Sequence, residues 1–240
     1  MKAIITFHSI DDSGSVLSFP QQALDSLLQG IRAAGLPILD LPTLLQAETR
    51  HGIALTFDDG MRSLYTHGLP VLQHHDAPAH LYLATASVGK SNRWPGQPEA
   101  APDFDMLNWD EIEALHGAGV RIESHTHNHP DMRALDADAM EQECEQADAL
   151  IEQRLGRRPC YFAYPYGYRN ATACKVARRR YAGSVTTQLA VLRGGEDPAE
   201  LPRLDSYYLK APWLQRRLDS VAARAYFRLR SLLRSVRGTQ

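Results

Sequence analysis

Cysteine, net charge and long apolar runs are scarce in this 240-residue chain, and each scarcity excludes a class of protein. Cys144, Cys160 and Cys174 are too few and too far apart for a disulfide framework or a CxxC metal site. No run approaches the ~20 apolar residues that span a bilayer, and no signal peptide is evident after Met1-Lys2. A net charge of −2 gives no overall attraction to nucleic acid. We therefore expect a reduced, cytoplasmic protein.

The chain does have the apolar content for a core, because 44% of its residues are hydrophobic. This excludes a disordered or collagen-like protein. Apolar runs of strand length alternate with apolar stripes of helical period. The predicted strands are 3–7, 53–57, 79–84, 120–123, 160–164 and 182–185, and the predicted helices are 20–34, 61–75, 109–116, 136–155 and 170–180. This order is typical of an α/β protein with a parallel sheet, either open or closed into a barrel. We expect residues 85–106, with three prolines, to form a long surface loop.

Polar clusters follow four of the predicted strands. They are His8, the pair Asp58-Asp59, the segment 125–129 (HTHNH) and the segment 164–167 (YPYG). Because functional groups gather at the carboxyl ends of parallel strands, we expect all four to converge.

Each cluster alone also has a structural interpretation. A DDG sequence is a common turn, and a histidine at a strand end is often only hydrogen-bonded in place. The combination is more specific, because a carboxylate and two imidazoles four positions apart can bind zinc and leave one position for water.

Two of the clusters resemble the motifs of a known family. The segments 56–60 (TFDDG) and 125–130 (HTHNHP) are similar to the first two motifs of the polysaccharide deacetylases, carbohydrate esterase family 4. The resemblance spans roughly residues 1–208 and implies a distorted (β/α) barrel of parallel strands. It also implies a deacetylase that uses Zn²⁺ or another divalent metal.

The resemblance assigns roles residue by residue. Asp59, His125 and His129 would bind the metal, and Asp58 would be the general base. Thr126 would support the two histidines. His127 falls on a variable position of the motif, so we do not expect it to be a ligand.

The third motif of the family, R-x-P-[YF]-G, is altered here. The chain has Ala163 where the arginine should be, followed by Tyr164-Pro165-Tyr166-Gly167. The Pro-Tyr-Gly turn remains, so the resemblance still gives the Tyr166 N–H a place in the oxyanion hole. Arg203 could replace the lost arginine from the segment 201–204 (LPRL), which would be the last strand, although we expect an exposed arginine there.

The usual late catalytic histidine of the family is also absent, since no histidine follows His129. With His8 placed before TFDDG, the order of the motifs is similar to that of a circularly permuted branch of the family, which includes poly-N-acetylglucosamine deacetylases. That likeness makes His8 the candidate general acid. For the substrate we consider Tyr164, Pro165 and Trp109, since aromatic side chains stack on sugars, as Trp94 and Tyr166 also could. Aromatic residues at these positions could equally be core.

The composition changes at residue 210, after a predicted catalytic domain over 1–209. The basic residues there are Lys210, Arg216, Arg217, Arg224, Arg228, Arg230, Arg234 and Arg237, against Asp219 alone, a net charge of +7. Since the whole chain carries −2, residues 1–209 carry −9. Apolar residues recur at spacings of three and four: Leu214, Leu218, Val221, Ala225, Leu229, Leu232 and Val236.

We therefore expect a basic amphipathic helix over 210–240. Such a helix could pack on the domain or lie on an anionic membrane, at the inner face of the cell membrane in a cytoplasmic protein. We expect no nucleic-acid partner, because no recognition motif accompanies the charge.

The leading functional hypothesis is a metal-dependent hydrolase that removes N-acetyl groups from amino sugars of a polysaccharide or lipid-linked glycan, as in exopolysaccharide biosynthesis. One alternative is hydrolysis of a small non-sugar amide on the same scaffold. Another is a degenerate carbohydrate-binding module without turnover.

Overall fold

The computed structural model describes residues 1–95, 97 and 101–236. These residues form nine strands: β1 (Lys2–Phe7), β2 (Ser9–Ile10), β3 (Ser18–Phe19), β4 (Gly52–Phe57), β5 (Ala79–Leu83), β6 (Arg121–Ser124), β7 (Tyr161–Ala163), β8 (Gly183–Leu189) and β9 (Leu201–Asp205). Seven of them form a closed parallel barrel in the order β1-β4-β5-β6-β7-β8-β9. The barrel closes where β1 pairs with β9, with Ile5 opposite Leu204. The parallel sheet is thus closed into a barrel and is not open.

Helices cover the outside of the barrel. They are α1 (Gln21–Ala33), α2 (Leu41–Leu45), α3 (Leu69–His74), α4 (Trp109–Gly117), α5 (Ala137–Leu155), α6 (Ala171–Arg180), α7 (Pro212–Arg216) and α8 (Val221–Val236). The continuous helix predicted over 61–75 is wrong, because a π-helical turn at Leu64–Gly68 precedes α3. Pro70 explains the break, since it has no N–H to donate and its ring clashes with the carbonyl four residues earlier.

The loop after β5 does not simply run over the surface, as predicted for 85–106. Asn92 is buried within it, where its side chain accepts from the Phe104 N–H and donates to the Pro102 carbonyl. These bonds tie the two arms of the loop to each other. Pro98, one of the prolines on which that prediction rested, lies outside the described residues.

The single helix predicted over 210–240 is two helices, α7 and α8, and Arg237 lies outside the described residues. Leu214, Leu218 and Phe227 belong to the same buried cluster as the barrel strands. At Gly30 of α1, a Cβ would overlap the carbonyl oxygen of Gln215 in α7, so this contact needs glycine. The C-terminal segment therefore folds onto the barrel. No helix in the described part of the chain is long and apolar enough to span a bilayer.

Candidate active site

The four polar clusters meet in one cavity of about 160 Å³ at the carboxyl end of the barrel. His8 follows β1, Asp58 and Asp59 follow β4, the two histidines follow β6, and Tyr166 follows β7. The parallel order of the strands brings these side chains together, as the sequence predicts. The described residues that line the cavity include His8, Asp58, Asp59, Trp94, His125, His129, Tyr164, Tyr166 and Thr187.

The backbone is strained at this cavity. Asp59, Thr126, His129 and Tyr166 all have a positive φ, between 56° and 72°. Among the described non-glycine residues, only Asp76 shares this feature. Each such residue costs on the order of 1–3 kcal/mol and persists only where the surroundings fix it. The DDG segment is thus a turn, but an unfavourable one that positions a carboxylate.

Asp59, His125 and His129, which we call the Asp–His–His cluster, are buried and have the geometry of a metal site. Asp59 Oδ1 lies 3.3 Å from His125 Nε2 and 3.4 Å from His129 Nε2. Ligands bound about 2.0–2.2 Å from a tetrahedral zinc ion lie about 3.3–3.6 Å apart. The donor atoms of all three residues lie within 4.8 Å of one another. The cluster therefore fits a divalent metal ion.

The protonation of the cluster also suits a metal. Burial would raise the pKa of Asp59, but hydrogen bonds from His125 and His129 hold it well below its ordinary range. Burial lowers the pKa of His129, which favours the neutral imidazole that metals bind. Burial would also lower the pKa of His125, but the contact with Asp59 raises it. A metal ion bound to His125 would displace the proton that the raised pKa favours on this imidazole.

Neighbouring groups orient the two histidines. His125 Nδ1 lies 2.7 Å from the Ala163 carbonyl oxygen and donates to it, which leaves Nε2 facing Asp59. The residue that replaces the motif arginine thus contributes through its backbone. The Thr126 hydroxyl accepts from the His129 N–H at 3.1 Å. His127 Nδ1 instead lies 2.8 Å from the Thr85 hydroxyl, outside the cluster.

Glu143 of α5 supports the histidine loop from outside. Its carboxylate accepts from the N–H groups of His127 and Asn128 and from the Asn128 side chain, at 2.7–3.1 Å. The sequence does not single out Glu143. Nothing in its local pattern distinguishes it from the other acidic residues of a solvated helix face.

Arg203 of β9 holds the second aspartate. Its Nη1 and Nη2 each donate to one oxygen of Asp58 at 2.7 Å, a bidentate pair. Nε donates to the Thr186 carbonyl at 3.0 Å. The expectation of an exposed arginine is wrong, because Arg203 is 1% exposed. A charged residue inside an apolar strand needs a buried partner, and that rule could have identified Arg203 as a buried, paired residue.

The pair sets the charge of Asp58. Burial would raise the pKa of this carboxyl, but the Arg203 charge and hydrogen bonds, with smaller contributions from His125 and His8, hold it below its ordinary value. Asp58 is therefore an ionised carboxylate, and both of its oxygens accept hydrogen bonds from Arg203.

His8 lies at the same cavity, half-buried, directly after β1, the strand that closes the barrel. Since β1 lies between β9 and β4, His8 follows the strand next to the one that carries the two aspartates. The structure thus brings His8 to the cavity together with the other three clusters, as the sequence predicts. Its role as general acid stays a prediction.

The candidate substrate residues differ in position. The Tyr166 hydroxyl accepts from Trp94 Nε1 at 2.9 Å, and both rings pack on His129, at centroid distances of 4.6 and 4.1 Å. Tyr164 also lines the cavity, but its hydroxyl donates to the buried Ala199 carbonyl. Pro165 is buried in the turn at Pro165–Gly167.

Trp109 is the exception, and its predicted contact with substrate is corrected. It begins α4, packs on the barrel core and lies outside the described lining of the cavity. The Arg154 guanidinium covers its ring at 5.2 Å from the centroid. Of the two interpretations of this tryptophan, the structure supports a residue packed on the core.

A parallel barrel with paired aspartates and two histidines at its carboxyl end defines a class of hydrolytic enzymes. A family model described as polysaccharide deacetylase matches residues 46–181, more than half of the chain. The chain belongs to the polysaccharide deacetylase family.

Similar proteins include YxkH of Bacillus subtilis, 23% identical over 192 residues that cover 77% of this chain and 64% of YxkH. The poly-beta-1,6-N-acetyl-D-glucosamine N-deacetylase of Staphylococcus epidermidis is 21% identical over 205 residues, 78% of this chain and 67% of that protein. The chain thus spans about two thirds of the length of each. The structure of IcaB from Ammonifex degensii superposes with a TM-score of 0.74 at 22% identity, covering 89% of this chain and 96% of IcaB. This likeness confirms the barrel fold.

Proposed function

We propose that the chain is a divalent-metal-dependent N-deacetylase that acts on the amino sugars of a glycan, either a polysaccharide or a lipid-linked glycan. The observation that carries the proposal is a cavity that holds both an Asp–His–His cluster and a separate, ionised carboxylate. Amide hydrolysis needs these two elements together, because one group activates water and another accepts its proton.

Zn²⁺ is the proposed metal, because one carboxylate and two imidazoles with a position left for water are a common zinc site. When bound, such an ion makes a nucleophile available from water at neutral pH and polarises the scissile carbonyl.

The residues of this chain perform the remaining steps. Asp58, kept ionised by Arg203, accepts the proton that water loses as it attacks the acetamide carbon. The Tyr166 N–H stabilises the negative charge that develops on the carbonyl oxygen, a contribution of about 3 kcal/mol per donor. His8 donates a proton to the departing nitrogen as the C–N bond breaks. The products are acetate and a free amino sugar.

The size and the lining of the cavity support one sugar unit at the site. Its volume of about 160 Å³ is below the roughly 300–1,000 Å³ of pockets that enclose drug-sized ligands. An acetamido group and part of one ring could enter, flanked by Trp94 and Tyr166. The name of the Staphylococcus epidermidis relative supports a β-1,6-linked N-acetylglucosamine polymer as substrate.

Acetate release from three substrates tests the proposal: oligomers of β-1,6-linked N-acetylglucosamine, chitin oligomers and a small N-acetyl amino acid. We expect release from at least one oligomer and loss of that release with a chelator. Release from the N-acetyl amino acid alone would favour a small-amide hydrolase. Oligomer binding without any release, in metal-loaded protein, would favour a carbohydrate-binding module.

A further inference from the structure

Helix α8 has two apolar faces, and only one of them packs on the barrel. Ala223 and Phe227 are buried against it. The opposite face contains Val221, Leu229 and Leu232 of the apolar stripe seen in the sequence, whereas Leu214 and Leu218 of that stripe are buried before α8 begins. There Val221 is 84% exposed, Leu229 56%, Leu232 62% and Leu233 42%. The α8 part of the stripe is thus at the surface, because Ala223 and Phe227 fix this helix to the barrel.

This exposure is concentrated in one region. Among the described residues, eight large hydrophobic side chains are exposed, and six of them lie between residues 207 and 233. They include Trp213, whose ring meets Tyr226 of α8, and Tyr207, which is next to Tyr208. Tryptophan and tyrosine favour the boundary between water and the membrane interior.

The charge of α8 is of one sign. Residues 221–236 include four arginines and no acidic residue. Arg224 and Arg228 are exposed on one side of the apolar face, and they line a groove of about 310 Å³ together with Arg193. Arg230 lies on the other side, with its guanidinium 4.8 Å from the centre of the Tyr208 ring. An apolar stripe between arginines is complementary to an anionic lipid surface.

Helix α8 runs toward the end of the barrel that carries the active site. Before the helix begins, Asp219 pairs with the amino group of Met1, at the amino end of β1. Near its other end, Arg230 meets Tyr208, just beyond the carboxyl end of β9. The leucines at 229, 232 and 233 therefore lie toward the end of the barrel where the cavity is found.

We propose that α8 docks the protein on an anionic lipid bilayer, with Leu229, Leu232 and Leu233 inserted at the interface and the arginines on the headgroups. This docking goes beyond the deacetylase activity and does not depend on it. It would bring the carboxyl end of the barrel close to glycans at a membrane surface.

Vesicle co-sedimentation tests the proposal with the full chain and phosphatidylglycerol or phosphatidylcholine vesicles. Because Phe227 packs in the core, substitutions are a cleaner test than removal of the helix. The triple variant Leu229→Gln, Leu232→Gln and Leu233→Gln removes apolar surface but keeps helix propensity and charge. We expect wild type to bind phosphatidylglycerol vesicles preferentially, and the triple variant to lose about tenfold or more in partitioning.

A charge-matched pair of variants tests the electrostatic part. Arg224→Gln/Arg228→Gln and Arg178→Gln/Arg179→Gln each remove two positive charges, on α8 and on the exposed side of α6. Only the first pair should weaken binding, and added salt should weaken wild-type binding. Equal binding by wild type and the leucine variant, or no binding by wild type, would overturn the proposal. A third result would also overturn it: wild type forms a dimer and does not bind vesicles, and the leucine variant is a monomer. A second copy of the chain would then cover this face.

Discussion

Arg203 supplies the guanidinium that binds Asp58, although the family motif has its arginine at the position of Ala163. The family motif puts an arginine on the strand of Ala163, next to the Pro-Tyr-Gly turn, whereas here the guanidinium reaches Asp58 from β9. Burial and a bidentate partner act in opposite directions on the pKa of Asp58, and the partner is stronger. The ionisation of Asp58 therefore depends on Arg203.

Replacing Arg203 should change the pH dependence of the enzyme. In Arg203→Met, burial of Asp58 is no longer offset, so its pKa rises and the carboxyl is protonated at pH values where wild type is ionised. We expect the acidic limb of the pH–rate profile to move to higher pH, while metal content stays unchanged. An acidic limb identical to that of wild type would mean that Arg203 does not control the base.

The same variant should also be less stable. Removing one partner of a buried ion pair leaves the other charge unpaired and lowers the free energy of unfolding by about 3–5 kcal/mol. Denaturant unfolding of Arg203→Met, Asp58→Asn and the double variant measures this. The double variant should be less destabilised than the two single effects added together, because neither charge is then left unpaired.

Asp58→Asn tests the base itself. The amide keeps the shape of the side chain and lies outside the Asp–His–His cluster, so metal content should equal that of wild type. The turnover of an acetylated oligomer should fall by about 10²–10⁴-fold, the usual effect of losing a general base. Activity near that of wild type would exclude Asp58 from proton transfer.

His8→Ala tests the general acid. The basic limb of a pH–rate profile reports deprotonation of the acid that the reaction needs. The variant should keep its metal and its fold, turn over more slowly and show a flattened basic limb. An unchanged limb would assign His8 a structural role at the end of β1.

At the scale of elements, the sequence predicts what periodicity can detect. The strands β1 and β4 to β7 are found within one or two residues, because parallel barrel strands are continuous apolar runs. Periodicity predicts no bounds for β9. The predicted strand 182–185 is too short, since β8 continues through polar residues to Leu189. Thr186 is buried there, and its hydroxyl donates to the Leu201 carbonyl. Polar residues that bond inside the barrel do not show in a hydrophobic pattern.

The packing of α7 on α1 can be tested with two glycines in helices. In Gly30→Ala the new Cβ would overlap the backbone of Gln215, so we expect a loss of about 1–3 kcal/mol or more in the free energy of unfolding. Gly117→Ala is the matched control, because nothing lies within 4 Å of its Cβ position. It should be neutral or gain about 0.4–1 kcal/mol. Equal effects in thermal unfolding would mean that α7 does not press on α1.

At the scale of the whole molecule, the order of strands and helices predicts a parallel α/β fold, and the polar clusters predict where its site lies. The sequence could not decide how the last strand meets the first. That closure places His8 and Arg203 beside Asp58, across almost the full length of the chain. Long-range pairing of this kind has no local signal. The apolar residues around Arg203 indicate that it is buried with a partner, but they do not indicate that the partner is Asp58.

The dependence of acetate release on metal tests the account most directly. Protein freed of metal by a chelator should release no acetate from acetylated glucosamine oligomers, and Zn²⁺ should restore release up to about one equivalent per chain. His125→Ala, which removes one imidazole of the Asp–His–His cluster, should not recover at that equivalent. Full activity in the metal-free protein, or full recovery of His125→Ala with one equivalent, would contradict the account.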